Sequence, residues 1–171
     1  PLADLSGELP YRMVQTSFDP FFPKGEVGSY WKSLYLDDLN EDVTNVIVKN
    51  GVERESAMTM VHVPLMGGAV STVGPTDTAF GDRSAPFMLS VDGNWLDVAD
   101  ADREIAWVRD VIDQAERYST GMPYLNFSGD EASDRQLVQA AFGNNLTRLQ
   151  GIKKRYDPQN LFRLNNNITP G

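Results

Sequence analysis

The chain has 171 residues, of which 41% are hydrophobic and 23% charged, so its composition is that of a folded domain and excludes a disordered tail. Lysine and arginine total 15 against 24 aspartates and glutamates, and the formal net charge of -9 disfavours nucleic acid as a partner, because phosphate contacts would oppose the field of the surface. Cysteine is absent, which excludes disulfides, thiolate nucleophiles and zinc–thiolate sites within this sequence.

The first half of the chain is predicted to combine strands with one helix. Four segments are rich in aromatic and β-branched residues and are flanked by turn formers, which is typical of strands. These segments are residues 11–16, 30–35, 58–63 and 86–91. A helix with an apolar face is predicted between the second and third strands, with Asn40 as its N-cap and Gly51 just past its end.

The second half of the chain is predicted to be mainly helical. Asp100 can cap one helix, and Ser133 opens an S-x-x-Q capping box for another, with a short strand predicted between them at residues 124–127. Asp157 ends the last helix, because the residue before Pro158 is pushed out of the helical conformation. Strands followed by helices predict an α+β domain in which helices cover one face of an antiparallel sheet.

The chain carries no sign of a targeting or membrane segment. No apolar run reaches the length of a membrane-spanning helix, so a membrane is not expected as a partner. The sequence starts at Pro1, without an initiating Met and without the pattern of a signal peptide. We therefore expect a processed chain or a piece of a longer polypeptide, which leaves the location in the cell open, with the cytoplasm slightly favoured.

His62 is the only histidine and the first candidate for acid–base chemistry. Strand alternation places it on the same side as Met58 and Met60. It can act as a base or stand as a hydrogen-bonded histidine at a sheet surface, and the sequence leaves both open. No Ser, Cys or second His lies at a useful spacing, which disfavours a Ser-His-Asp hydrolase. The acidic residues lie at helix starts and lack the spacing of a calcium loop, so no metal site is predicted.

Tyr124 and Asn126 form a second candidate site. Their spacing places a phenol and a carboxamide on one face of the predicted strand, with Leu125 and Phe127 on the other. Two such polar groups can form hydrogen bonds with one flat, polar ligand.

The last part of the chain carries a specific pattern at residues 149–170: a lysine-rich helix, Tyr-Asp-Pro, Asn-Leu-Phe-Arg and an Asn-x-Asn-Ile-x-Pro tail. This pattern closely resembles the C-terminal signature of the berberine-bridge-enzyme-like FAD-linked oxidases, in the vanillyl-alcohol-oxidase superfamily. Earlier segments resemble the rest of that family's C-terminal half, in order, and the resemblance covers essentially all of the chain. These segments are residues 15–36, 67–70, 78–83, Trp95 and 124–127.

The resemblance implies a fold, a cofactor and partners. It implies a flavin-oxidase substrate-binding (cap) domain, in which one face of an antiparallel sheet lies over the flavin and helices cover the other face of the sheet. It also implies FAD, held mainly by an N-terminal FAD-binding domain that is absent from this sequence and would be its partner, together with a small-molecule substrate. The expected division is a sheet domain with covering helices at residues 1–153 and a tail at 154–171 that docks on the FAD-binding domain.

The resemblance further implies an activity. Similar proteins oxidise an alcohol, a sugar or a secondary metabolite by hydride transfer to FAD, so we expect a flavin-dependent oxidoreductase when the protein is complete. This chain alone is expected to be inactive. A different interpretation is a non-catalytic small-molecule or partner-binding module that retains the fold, which is consistent with Asp82 and Phe127.

The family's Tyr-x-Asn motif places Tyr124 and Asn126 beside the flavin, and Tyr124 is the expected catalytic residue. Phe127 stands where many oxidising members have a tyrosine proposed to take the substrate's proton, and residues 87–91 lack the carboxylate that some members carry. If this chain supplies a base, Tyr124 or His62 must provide it. The expected substrate-pocket residues are Tyr30, Lys32, Met58, Met60, His62 and Leu89.

Overall fold

The computed structural model describes residues 7–81, 83–128 and 135–171. Its helices and strands, in chain order, are α1 (Tyr11–Gln15), β1 (Gly28–Leu36), α2 (Glu41–Glu53), β2 (Met60–His62), β3 (Phe87–Trp95), α3 (Ala101–Ala115), α4 (Arg135–Phe142) and α5 (Leu146–Tyr156). Across these ranges, no helix has the length and apolar character that crossing a membrane requires.

The three strands form one antiparallel sheet in the order β1-β3-β2. In this register Ser33 of β1 lies opposite Ser90 of β3, and Ser90 lies opposite His62 of β2. Because side chains alternate along a strand, one face of the sheet is apolar and packs against α2 and α3. The buried core on this face comprises Tyr30, Leu34, Leu36, Val43, Leu89, Val91, Val108, Val111, Ile112 and Ala115. The predicted α+β fold, with helices on one face of an antiparallel sheet, is confirmed.

The predicted limits of α2 and α5 rest on local chemistry and are largely confirmed. The side chain of Asn40 accepts a hydrogen bond from the backbone N–H of Val43 at 3.1 Å, as an N-cap does. Gly51 lies inside the last turn of α2, so the helix ends later than predicted. Helix α5 ends at Tyr156, and Asp157 is its C-cap as predicted.

Two strand predictions are wrong. Residues 11–16 contain α1, which Pro10 starts: its φ is -57° and its carbonyl oxygen accepts a hydrogen bond from Met13 at 2.8 Å. Residues 124–127 form a 3-10 turn in which the N–H of Phe127 donates to the carbonyl oxygen of Tyr124 at 3.0 Å. Ser133, the predicted helix cap, lies outside the described residues.

Candidate active site

The face of the sheet turned away from α3 carries most of the polar side chains of the strands. We call it the polar face. Strand alternation assigns to it Ser29, Trp31, Ser33 and Tyr35 of β1, Met60 and His62 of β2, and Met88, Ser90, Asp92 and Asn94 of β3.

Asp92 is the buried centre of the polar face. Its side chain is 4% exposed, yet both carboxylate oxygens have a partner. The hydroxyl of Ser90 donates to Oδ1 at 2.5 Å, and Nε2 of His62 lies 3.0 Å from Oδ2. A carboxylate with two such partners can be buried as an anion, because the hydrogen bonds replace part of its hydration.

His62 is the exposed end of this network. Its side chain is 43% exposed, and it lies on β2, at the edge of the sheet. The hydrogen bond that His62 donates to Asp92, together with the attraction of the carboxylate's charge, raises the pKa of His62 above its ordinary value of 6.5, against the opposing effect of partial burial. The pair is therefore an acid–base group at the surface of the sheet.

Asn94, near the C-terminal end of β3, hydrogen-bonds polar groups of the neighbouring segments. It is fully buried, and its side-chain oxygen accepts hydrogen bonds from the hydroxyl of Ser29 at 2.8 Å and from the indole N–H of Trp31 at 2.9 Å. Its amide nitrogen donates to the carbonyl oxygen of Met58 at 3.0 Å. The orientation of the Trp31 ring is thus set by a buried hydrogen bond.

Aromatic rings cover the β1 side of the polar face. The ring of Phe127 lies edge-on to both Trp31 and Tyr124, with centroid distances of 5.3 Å in each case. Tyr124 also contacts Tyr35 of β1, and its hydroxyl accepts a hydrogen bond from the amide of Asn126 at 2.8 Å. Tyr124 and Asn126 are therefore neighbours, although the turn that joins them is not the strand that was predicted.

A cavity of about 300 Å³ opens beside Tyr124 and Asn126, and Asn166 of the C-terminal tail also lines it. The amide nitrogen of Asn166 donates to the carbonyl oxygen of Leu125 at 3.4 Å, whereas its Oδ1 is buried without a hydrogen-bond partner among the described residues. A buried unpaired amide oxygen is destabilising unless a ligand supplies the missing donor. A phenol, a carboxamide and this oxygen fit the edge of a flat heteroaromatic ring that carries N–H and C=O groups.

The structure divides the residues predicted to line a substrate pocket. Met60 and His62 lie on the polar face, and Met58 lies just before β2, half-buried. Tyr30 and Leu89 point to the opposite face and are buried in the core against α3, which places them away from the polar face. Lys32 shares the alternation of Tyr30 and lines a groove beside α3 and α4. The sequence could not assign these residues, because alternation fixes which residues share a face but not which face the helices cover.

Asp92 is the site residue that the sequence analysis missed. The predicted strand stopped at residue 91, one residue before Asp92. The structure continues β3 to Trp95. The available signal was the alternation of Ser90, Asp92 and Asn94, three polar residues at a spacing of two.

Among the described residues, no group of three or more His, Asp or Glu side chains is placed to hold a metal ion.

Comparison with known proteins relates this site to flavoproteins. Residues 123–169, which include Tyr124, Asn126 and Asn166, match the family described as berberine and berberine like. An uncharacterized FAD-linked oxidoreductase, YgaK, of Bacillus subtilis is 30% identical over 105 residues, which are 61% of this chain and 23% of the relative. The FAD-linked oxidoreductase sorD of Penicillium rubens is 30% identical over 149 residues, 81% of this chain and 30% of the relative.

Solved structures show the same fold. The flavoenzyme CrmK of caerulomycin biosynthesis matches with a TM-score of 0.76 and 22% identity over 95% of this chain and 37% of that one. BBE-like 28 from Arabidopsis thaliana matches with a TM-score of 0.76 and 18% identity over 85% of this chain and 34% of that one. This chain spans about a quarter of the length of the curated relatives it matches.

Proposed function

Because this chain is similar in sequence and fold to the berberine-bridge-enzyme-like FAD-linked oxidoreductases, we propose that it is the substrate-binding portion of a flavin-dependent oxidoreductase. The complete protein oxidises a small organic substrate, an alcohol, a sugar or a secondary metabolite, by hydride transfer to FAD. The observation that carries this proposal is the family match over residues 123–169, since that segment supplies the cavity beside the polar face. FAD is held mainly by a domain outside this sequence.

Tyr124 and Asn126 are the proposed contacts to the flavin from this chain. The hydrogen bond between them leaves the other amide hydrogen of Asn126 and the phenol proton of Tyr124 for a ligand. Asn166 lines the same cavity with its unpaired oxygen, so the C-terminal tail and the turn that carries Tyr124 would contact the same ligand. FAD, when bound, supplies a two-electron acceptor for the substrate's hydride. The protein groups orient that ligand and exclude water from its edge.

The substrate is proposed to lie on the polar face, between the aromatic side at Tyr124 and the acid–base pair at the β2 edge. The two sides are separated by the width of the sheet, because β1 and β2 flank β3, and neighbouring strands are about 4.8 Å apart. Trp31 and Met60 offer apolar surface, and His62 offers a polar group. One relative is named chitooligosaccharide oxidase and another aclacinomycin-N/aclacinomycin-A oxidase, and these names support a sugar or a secondary metabolite as the substrate.

The division into a sheet domain at 1–153 and a docking tail at 154–171 is part of the proposal. Asp157 organises the start of the tail: Lys153 donates to it at 2.5 Å, and its oxygens accept hydrogen bonds from the backbone of Leu161 and Phe162. The hydrogen bond from Lys153 lowers the pKa of Asp157, so the anion is held. Phe162 and Leu164 are 82% and 86% exposed, which is unusual for such side chains and supports a docking role toward the FAD-binding domain.

A second function rests on Phe127, which cannot accept a proton. A non-catalytic small-molecule or partner-binding module would keep the fold, the cavity and the aromatic cluster while losing the chemistry. Flavin bound to the complete protein, but not reduced by any hydroxyl-bearing compound, would favour this alternative.

Two substitutions in the complete protein test the flavin contacts. Asn126→Ala removes a polar partner and is expected to lower flavin occupancy or affinity, because a ligand group would lose its hydrogen bond, typically worth about 1 kcal/mol or roughly fivefold in affinity. Tyr124→Phe removes only a hydroxyl and keeps the contacts with Tyr35 and Phe127. Flavin titration of each apoprotein measures the difference. Wild-type flavin affinity in both variants would contradict the assignment of this cavity.

A further inference from the structure

The Ser90–Asp92–His62 network differs from the flavin contacts in both place and chemistry. It lies on β3 and β2, whereas Tyr124 packs against β1. Asp92 was not among the residues that the sequence pointed to. Burying a carboxylate is costly unless it is hydrogen-bonded, so a carboxylate in a strand interior calls for a reason.

The geometry separates the roles of the two titratable groups. Both oxygens of Asp92 are occupied, one by Ser90 and one by His62, and its side chain is 4% exposed. A substrate on the polar face therefore meets His62, which is 43% exposed, before it could meet Asp92. Among the described residues nothing hydrogen-bonds the second ring nitrogen of His62, Nδ1.

The carboxylate also selects the tautomer of the imidazole. A carboxylate that accepts from Nε2 favours the neutral form with its proton on Nε2, which leaves the lone pair on Nδ1. The same arrangement of a buried carboxylate behind an imidazole stabilises the imidazolium that forms when the ring takes a proton. The raised pKa of His62 is consistent with this stabilisation.

We infer that His62 is the proton acceptor of the oxidation, that Asp92 is a positioning residue acting through Nε2 of His62, and that the substrate is accordingly a hydroxyl compound bound with its O–H toward Nδ1. This inference rests on the proposed function. In that role, Nδ1 would take the hydroxyl proton, the hydrogen on the adjacent carbon would leave with both electrons of its bond, and the C–O single bond would become C=O. Bound FAD would be the acceptor of those two electrons.

The competing candidates are Tyr124 and Asp92 themselves. The phenol of Tyr124 already accepts a hydrogen bond from Asn126 and stands among aromatic rings. Asp92 has no unoccupied oxygen facing solvent. A purely structural role is a third alternative, in which the His62–Asp92 pair only fastens the short strand β2 to β3.

The test is anaerobic stopped-flow reduction of the flavin in the complete protein, with D-glucose, cellobiose and benzyl alcohol as the hydroxyl compounds. His62→Gln keeps an N–H donor near the position of Nε2 and removes the proton acceptor. We expect flavin reduction to fall by about 10²- to 10⁴-fold with an unchanged flavin spectrum. Reduction within about tenfold of the wild-type rate would overturn the inference.

Two more variants separate the alternatives. The wild-type rate should rise with pH through the pKa of His62, because only the neutral ring accepts a proton. Asp92→Asn should move this rise to lower pH, since the group that raises the pKa of His62 is gone, and should lower the plateau rate. An Asp92→Asn protein with no measurable flavin reduction at any pH, together with near wild-type reduction in His62→Gln, would make Asp92 the base and would contradict the inference.

Val61→Ala is the matched structural control, because Val61 lies beside His62 on β2 but points to the core. It should leave the flavin reduction rate within a few fold of wild type while weakening the packing of the strand. A loss equal to that of His62→Gln would mean that the pair only fastens β2. A complete protein without flavin, or with flavin that none of the three compounds reduces, would contradict the proposed function instead, and histidine NMR then decides the inference: a proton on Nδ1 in the neutral ring would refute it.

Discussion

His62 has its acid–base properties because of Asp92 on the neighbouring strand β3, not because of a residue on its own strand. On an isolated edge strand, a half-exposed imidazole would titrate near 6.5. The buried carboxylate of Asp92, held by Ser90 at 2.5 Å, stabilises the protonated ring and shifts the pKa upward. The chemistry of this position therefore depends on a long-range pairing between residues 62 and 92.

The titration of His62 tests this dependence directly. In NMR of the histidine ring protons, we expect a pKa above 6.5 in the wild type and a lower value in Asp92→Asn, because the negative charge that stabilises the protonated ring is removed. The His62 signal is identified by its loss in His62→Gln. Equal pKa values in the wild type and in Asp92→Asn would contradict the assigned cause.

The same shift sets a pH dependence of stability. Because the folded-state pKa is raised, the pair stabilises the fold fully below pH 6.5, and this contribution is lost as the pH rises through the folded-state pKa. The difference in free energy of unfolding between the wild type and His62→Gln should therefore shrink from pH 6 toward alkaline pH. Urea unfolding at several pH values would show the opposite trend if the pKa were lowered.

Contacts between residues that lie close together in the sequence were predictable, whereas contacts between residues on different strands were not. Tyr124 and Asn126 were expected to lie side by side on a strand, and they are neighbours in a 3-10 turn instead, where a hydrogen bond joins their side chains. Asp92 was missed because the predicted strand ended at residue 91, and its contact with His62 could not be inferred because the two residues lie 30 positions apart in the sequence.

At the scale of elements, the contact between β3 and α3 determines how closely the helical layer approaches the sheet. A Cβ built on Gly93 would lie 2.7 Å from Cγ2 of Val108 and 3.2 Å from the carbonyl oxygen of Tyr30. Glycine at this position lets the helix pack directly against the central strand. The same close contact explains why an Asp-Gly pair lies within a strand here instead of forming a turn.

Gly93→Ala is expected to destabilise the fold by about 1–3 kcal/mol, because the added methyl group overpacks the β3–α3 contact. Gly51→Ala is the matched control: Gly51 lies inside α2, and its nearest atom would be Cβ of Val61 at 4.0 Å. This control should stabilise by about 0.4–1 kcal/mol. Thermal unfolding of both variants measures these two changes in stability. A Gly93→Ala protein as stable as the wild type would show that the helix and the sheet are not in close contact there.

Helix limits were largely predictable from sequence, whereas strand limits were less so. Asn40 and Asp157 act on backbone groups within five residues, so their effects are visible in a short window. Strands depend on partners far along the chain, and the aromatic, β-branched segment at residues 11–16 had none to pair with in the sheet and became α1.

At the scale of the whole molecule, the two faces of the sheet differ in their chemistry. The face toward α3 is a closed apolar core, whereas the polar face carries an acid–base pair, a cavity and aromatic rings. Several large apolar side chains are exposed, in α1 and its surroundings and in the tail: Tyr11, Phe18, Phe21, Leu161, Phe162 and Leu164. Such surface is the kind that another domain covers.

The fold of the whole chain was predictable because the resemblance extends over nearly all of it, and the alternation of strands and helices agreed with that resemblance. The face of the sheet on which Tyr30 and Leu89 lie was not predictable. Nothing in a strand's own sequence states which of its faces will be covered by helices when both carry aromatic or apolar residues, and the structure places these two in the core.

The central claim, that this chain completes a flavoprotein whose FAD is held mainly elsewhere, is tested most directly by one absorbance spectrum recorded on three samples. The complete protein should show a flavin band, and the same protein lacking residues 160–171 should retain less flavin, because the apolar tail no longer docks. The 171-residue chain alone should show none. A stoichiometric flavin band on the isolated chain, or no flavin on the complete protein, would contradict the account.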